Sequence, residues 1–364
     1  MLSTAAVLNS YGQALELRQF PVPDPGPGEA LVRIEMAGIC GTDVHLAKGE
    51  LDIPLPVILG HETVGRIEKL GSGLERDWRG GSLSVGDRVA WASSVVCGEC
   101  YYCRQKRQPT RCIKRKAYGI SYCANEQPHL RGGYAEFILL RAGTAIFRIP
   151  DAISSDAVVG AGCALTTALH GLERATVALG DVVVIQGSGP VGLAALAVAL
   201  QSGASKVIVI GAPQRRLEFA REFGAHGVIS IEEATTPEAR REQLFEQIGP
   251  YGADLVVECV GHPSAVPEGW ELCRDGGKYL VLGQYANAGE VLMNPHTITR
   301  KQLQVIGSWG FEPRHVHAAL RLLENPHWQT RFASEVTDRF ALSQANEALE
   351  RARLGSGGKT VITP

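Results

Sequence analysis

The chain has 364 residues, of which 45% are hydrophobic and 20% charged, enough to bury a large core and too apolar for a disordered protein; its length favours two domains. Thirty-six Lys and Arg against 38 Asp and Glu leave a formal charge of −2, which offers no basic field to a phosphate backbone and excludes nucleic acid as an expected partner. No stretch approaches the roughly 20 apolar residues of a membrane span and no basic segment leads an apolar run at the start, so we expect a cytoplasmic protein with no membrane partner.

Up to about residue 150, short β-rich runs (30–38, 64–71, 87–92) alternate with Gly/Pro turns, which predicts a β-barrel-like lobe. Residues 75–84 lengthen one connection and read as a solvated loop. From residue 181 the texture changes. Apolar strands at 182–186, 206–211, 228–230, 254–261 and 278–283 alternate with helices at 191–202, 214–223 and near 237–248. Such alternation predicts a parallel, doubly wound α/β sheet buried on both faces. Cys259, inside the run 254–261, reads as an inert core residue. A further apolar run at 302–309 has an edge that could pair with a second copy. A helix follows Pro313, and a closing strand at 359–364 returns β-type sequence to the first lobe.

Directly after 182–186 comes Gly187-Ser188-Gly189-Pro190-Val191-Gly192, a GxGxxG opening a helix. Its glycines allow a tight turn, close approach to a pyrophosphate and helix–strand packing, while the helix start offers N–H donors. With a strand before it and further βα units after it, the motif points to a dinucleotide. The acid expected at the end of the second strand is replaced by Gly211, followed by Arg215 and Arg216. Without that carboxylate both NAD and NADP are expected to serve, with a mild lean to NADP. Arg216 reads equally well as a solvated helix start.

Cys97, Cys100, Cys103 and Cys112 form CxxCxxCx8C, a spacing that closes four thiolates around one structural Zn²⁺. Cys40, His61 and Cys163 are dispersed. Two thiolates and an imidazole, with a fourth position left to water or substrate, are a catalytic-zinc donor set, but their separation alone does not pair them.

Taken in order, Cys40-Gly-Thr42-Asp43-x-His45, Gly60-His61-Glu62-x-x-Gly65, Gly86-Asp87-Arg-Val, the cysteine lobe, Cys163 and GxGxxG resemble the zinc-containing medium-chain alcohol dehydrogenases over nearly the whole chain. The resemblance implies a Rossmann domain (159–309) and a GroES-like β-barrel catalytic domain (1–158 and 310–364) with a structural-zinc lobe at about 95–115. It implies one catalytic zinc on Cys40, His61 and Cys163, and one structural zinc on the four clustered cysteines. Glu62 would lie behind the metal, Asp43 would orient the histidine ligand, and Thr42 and His45 would relay the hydroxyl proton. The implied activity is NAD(P)-dependent oxidation of a small alcohol, or reduction of its aldehyde or ketone, by a homodimer or homotetramer.

The chain departs from the family in a structural-lobe spacing one residue longer than usual and in the 75–84 insertion. Ser93 and Ser94, near the place where similar enzymes carry larger apolar side chains, hint at a polyhydroxylated substrate, or are ordinary turn residues. One rival is a zinc-less quinone or enoyl reductase of the same superfamily, which would not need all three dispersed ligands. Another is a non-catalytic structural or redox-sensing zinc protein.

Overall fold

Residues 1–355 and 357–364 are described by a computed structural model, in which the chain divides into two units, Met1–Cys163 with Glu312–Pro364, and Ala164–Phe311. The first begins with β1 (Leu2–Leu8), β2 (Glu16–Pro21), β3 (Ala30–Gly38), α1 (Gly41–Lys48), β4 (Val57–Ile58), β5 (Glu62–Leu70), β6 (Arg88–Trp91) and β7 (Ser94–Val95). There follow α2 (Tyr101–Arg104), β8 (Lys116–Ala117), β9 (Phe137–Leu140), β10 (Ile146–Arg148) and α3 (Ser155–Ala175), within which the division falls. The second unit continues with β11 (Val182–Gln186), α4 (Pro190–Gln201), β12 (Lys206–Gly211), α5 (Gln214–Glu222), β13 (Gly227–Ser230) and α6 (Pro237–Ile248). It closes with β14 (Ala253–Glu258), α7 (Ala265–Leu272), β15 (Cys273–Val281), α8 (His296–Arg300) and β16 (Gln304–Gly307). The chain returns to the first unit through α9 (Pro313–Leu323), α10 (Pro326–Ser334), β17 (Val336–Ala341), α11 (Ala345–Leu354) and β18 (Lys359–Thr363).

In the second unit six parallel strands lie in the order β13-β12-β11-β14-β15-β16. Numbered within the unit this is 3-2-1-4-5-6, the dinucleotide-fold order with its switch point between β11 and β14. The apolar runs explain it. Val183 to Ile185, Val207 to Ile210 and Leu255 to Val257 are at most 4% exposed, as strands covered on both faces must be. Each such side chain contributes about 1.5–3 kcal/mol on burial.

The first unit holds a sheet ordered β10-β6-β5-β3-β18-β17, with β9 also paired to β3, and a smaller one ordered β2-β1-β4. Three pairings place the residues that matter. Gly38 at the end of β3 lies opposite Glu62 at the start of β5, and Val361 of β18 lies opposite Gly38 from the other side. The residues just after β3, just before β5 and at the start of β18 therefore share one end of the sheet: Cys40, His61 and Lys359.

Three local features differ from the sequence expectation. The strand expected over 254–261 ends at Glu258. The buried Glu258 carboxylate accepts N–H bonds from Val260 (2.7 Å), Gly261 (2.6 Å) and Gly283 (3.2 Å), which turns the chain out of the ladder and leaves Cys259 beyond the strand. The helix α3 was not foreseen. The 75–84 connection is solvent-exposed as expected, apart from Asp77 and Leu83, but it is also anchored: Asp77, its side chain 1% exposed, accepts from the N–H groups of Arg79, Gly81 and Arg148, and Trp78 packs on Phe147 at 5.3 Å. Ser94 belongs to β7 and is not a turn residue, while Ser93 is a buried residue at a bend just before it. Among the described residues no helix is long and apolar enough to cross a membrane.

Candidate metal centres and cofactor turn

Cys40 is the N-cap of α1, its Sγ accepting from Thr42 N at 3.5 Å, while Asp43 reciprocates by accepting from Cys40 N at 2.9 Å. This is a capping box, and it fixes the cysteine's backbone. The other Asp43 oxygen lies 3.2 Å from His61 Nδ1 and accepts from Gly60 N at 3.4 Å. With Nδ1 so engaged, Nε2 is the ring nitrogen left for a metal. One fully buried carboxylate thus orients two prospective ligands.

Cys163 arrives by a break in α3. Gly162 has φ 46° and ψ −150°, and a Cβ there would lie within 2.3 Å of Glu62 Oε1, so only glycine serves. The break aims Cys163 N at Glu62 Oε1, which accepts at 2.7 Å. Glu62 Oε2 accepts from Lys359 Nζ at 2.6 Å, the two side chains being 0% and 3% exposed. Lys359 was not singled out from the sequence: a lone lysine in a late strand carries no motif.

The donor atoms of Cys40, His61 and Cys163 lie within 4.8 Å of one another, with the two sulfurs 3.5 Å apart. That is far beyond a disulfide bond and close to the roughly 3.7 Å expected of two thiolates on one tetrahedral zinc. Electrostatics agree. Hydrogen bonding from the Cys163 thiol, with help from His61, brings Cys40 down to about 5 against the cost of burial; the same bond and burial push Cys163 up. A bound zinc would favour both as thiolates. Burial lowers the His61 pKa, but the Asp43 carboxylate more than reverses that.

The donor atoms of Cys97, Cys100, Cys103 and Cys112 likewise lie within 4.8 Å of one another, Cys97 and Cys112 Sγ being 3.5 Å apart. N–H groups of Cys103 and Ile113 bring Cys100 down to about 6, and that of Glu99 lowers Cys97. Burial and its sulfur neighbours push Cys103 up to about 12. Four sulfurs without an oxygen donor suit a closed zinc shell. Thr42 and His45 sit three apart on α1, and His45 Nδ1 lies 2.5 Å from Glu50, a partner the motif did not reveal.

In the second unit Gly187 N donates to Ile210 O at 2.7 Å, tying the turn to β12. A Cβ at Gly192 would fall 1.9 Å from Gly187 O, so the helix can pack this closely only as glycine. Gly189 caps α4 without a side-chain acceptor and Pro190 opens it, leaving first-turn N–H groups for a phosphate. Arg216 Nη1 would be 3.7 Å from a Cβ at Gly189, so it lies against the turn; Arg215 is exposed. Gly211 is buried beneath Ser188.

The Glu62–Lys359 pair yields a prediction with a defined sign. Burial raises the Glu62 pKa, but Lys359 brings it below 4.5; burial lowers Lys359, but Glu62 brings it above 10.5. Stabilisation by the pair is therefore complete between those values, fading as acid takes the pH down through the lowered Glu62 pKa or alkali takes it up through that of Lys359. Lys359→Met strands a buried carboxylate at a cost of about 3–5 kcal/mol, and calorimetry should show a large loss of thermal stability at neutral pH that narrows toward acid. An equal loss at every pH would contradict the pairing.

Residues 26–151 match the alcohol dehydrogenase GroES-like domain and residues 190–325 the zinc-binding dehydrogenase domain. The chain is 39% identical to 5-exo-hydroxycamphor dehydrogenase of Pseudomonas putida, covering 96% of this chain and 95% of that one. It is 30% identical to a sorbitol dehydrogenase of Halalkalibacterium halodurans over the same shares. The crystal structure of an alcohol dehydrogenase from Thermotoga maritima superposes with a TM-score of 0.95 at 34% identity, over the full length of both chains. With a Rossmann sheet in one unit and a GroES-like fold in the other, the chain belongs to the zinc-containing alcohol dehydrogenases of the medium-chain dehydrogenase/reductase superfamily.

Proposed function

We propose that Cys40, His61 and Cys163 hold the catalytic zinc of a dehydrogenase for secondary alcohols, that Cys97, Cys100, Cys103 and Cys112 hold a structural zinc, and that the turn 187–192 with Arg216 binds the nicotinamide cofactor. The observation that carries the reading is the convergence of the three dispersed donor atoms within 4.8 Å, backed by two carboxylates that are not themselves in the donor set. It disfavours the zinc-less reductase, which needs no such set. Bound zinc supplies Lewis acidity to the substrate oxygen, and bound nicotinamide accepts or gives the hydride.

The chain's own residues manage position and protons. Asp43 holds the His61 ring by Nδ1, and Glu62 holds the Cys163 backbone. Thr42 takes the hydroxyl proton and passes it to His45, one turn along the same helix face. Glu50, 2.5 Å from His45 Nδ1, orients that imidazole, whose side chain is 42% exposed and so hands the proton to water. A secondary alcohol is favoured because 5-exo-hydroxycamphor and sorbitol, named in the relatives, both contain a secondary carbinol. Cofactor selection without a carboxylate at 211 leaves both NAD and NADP acceptable, with a mild lean to NADP through Arg216.

The enzyme is further proposed to be cytoplasmic and to form a homodimer or homotetramer. β16 is the sheet's edge strand, with Val305 44% exposed, a surface suited to pairing with its own copy. Sedimentation equilibrium should give at least a dimer at micromolar concentration; a monomer would contradict this.

The functional reading is tested by nicotinamide reduction on a panel of cyclic secondary alcohols, polyols and primary alcohols, before and after zinc removal. Secondary alcohols should turn over best and only with zinc. His45→Gln should slow oxidation about tenfold or more, with partial rescue by added imidazole and little change in cofactor affinity. Turnover that survives complete zinc removal would overturn the assignment.

A further inference from the structure

Cofactor selectivity in this fold is usually discussed through the residue at the end of the second strand, here Gly211. The geometry around it is unusual in one respect. A Cβ on Gly211 would lie 2.5 Å from Ser188 Oγ, 2.8 Å from Ser188 Cβ and 2.9 Å from Ser188 N, all closer than packed atoms tolerate. Ser188 cannot simply swing aside. It is 3% exposed, and its hydroxyl donates to Ala212 O at 3.0 Å, the residue that follows Gly211. The β11–β12 ladder, with Gln186 opposite Ile210 and Gly187 N bonded to Ile210 O, holds both backbones in register.

We propose that Ser188, the second residue of the glycine turn, is a specificity-determining residue of this enzyme: its side chain occupies the volume that an acid at 211 would need. It also pins the Ala212 carbonyl, so the adenosine ribose is read by backbone and Arg216 instead of by a carboxylate. The absence of an acid and the presence of Ser188 are then one feature, not two. Gly211→Asp made alone does not create an NAD-selecting enzyme, because the new side chain must first displace Ser188 from a buried hydrogen bond. Replacing Ser188 by glycine removes the two nearest of these contacts and leaves the backbone nitrogen at 2.9 Å, a strain that a shift of a few tenths of an ångström relieves.

The inference rests on the reading of the second unit as the nicotinamide-binding domain. It is tested by a double-mutant cycle on the zinc-loaded, full-length protein, reading NADH and NADPH dissociation constants by calorimetry and the melting temperature. Gly211→Asp should weaken both cofactors by about tenfold or more and lower the melting temperature. Ser188→Gly adds no charge and should move both cofactors by the same factor. Together, Ser188→Gly and Gly211→Asp should return NADH binding to within about threefold of wild type, with NADPH about tenfold weaker than NADH or worse. Should Gly211→Asp fail to fold, Gly211→Ala tests the same clash with a methyl group alone, and Ser188→Gly should rescue it. NADH selectivity from Gly211→Asp alone at unchanged melting temperature, or effects that simply add, would overturn this inference and leave the functional reading intact. A wild-type protein that binds neither NADH nor NADPH would overturn both.

Discussion

Two buried carboxylates hold the candidate catalytic centre together, and neither is in the donor set. Asp43 accepts from Cys40 N with one oxygen and faces His61 Nδ1 with the other. Glu62 accepts from Cys163 N with one oxygen and from Lys359 Nζ with the other. Between them they connect segments as far apart as Cys40, His61, Cys163 and Lys359. The β3, β5 and β18 pairings bring these segments to one end of a sheet, and the carboxylates convert proximity into orientation, the support a metal site requires beyond its first ligands.

The charges nearly close as well, with one carboxylate left over. Two thiolates match a divalent zinc, and Lys359 matches Glu62. The remaining carboxylate, Asp43, is served by two backbone N–H groups and the His61 ring. Remove Lys359 and the buried Glu62 carboxylate is stranded behind Cys163, which is why a single change at Lys359 should be felt at the donor set. In the second unit side-chain hydrogen bonds to backbone do comparable work: Glu258 gathers three N–H groups after β14, and Ser188 holds the carbonyl after β12.

Much of this was legible in the sequence, because it lies in patterns. Short apolar runs separated by helical segments disclosed the doubly wound parallel sheet. The spacing of CxxCxxCx8C foretold that four sulfurs would converge, and GxGxxG, with an apolar strand before it and a helix after it, marked the turn between β11 and α4. What stayed hidden depends on single residues meeting across the fold. Lys359 is 297 positions from Glu62 and belongs to no motif. Glu50 looks like any exposed acid until its distance to His45 is seen. Asp77 turns a polar insertion into an ordered one by folding three N–H groups around a buried carboxylate, which polarity and length do not reveal. Gly211 was read from what it lacks, whereas its meaning lies in Ser188, 23 residues earlier and one strand away. Helix α3 was missed because its course is interrupted at Gly162, the residue that makes it useful.

The central claim is that this chain binds two zinc ions in different shells, one closed by sulfur and one open. X-ray absorption at the zinc edge of the resting protein tests it most directly. With two ions per chain, four sulfurs on one and two on the other, the averaged shell should hold about three sulfurs near 2.3 Å and one lighter donor near 2.0–2.1 Å per zinc. A shell of sulfur alone, or one zinc per chain, would contradict the account, because one of the two donor sets would then hold no metal.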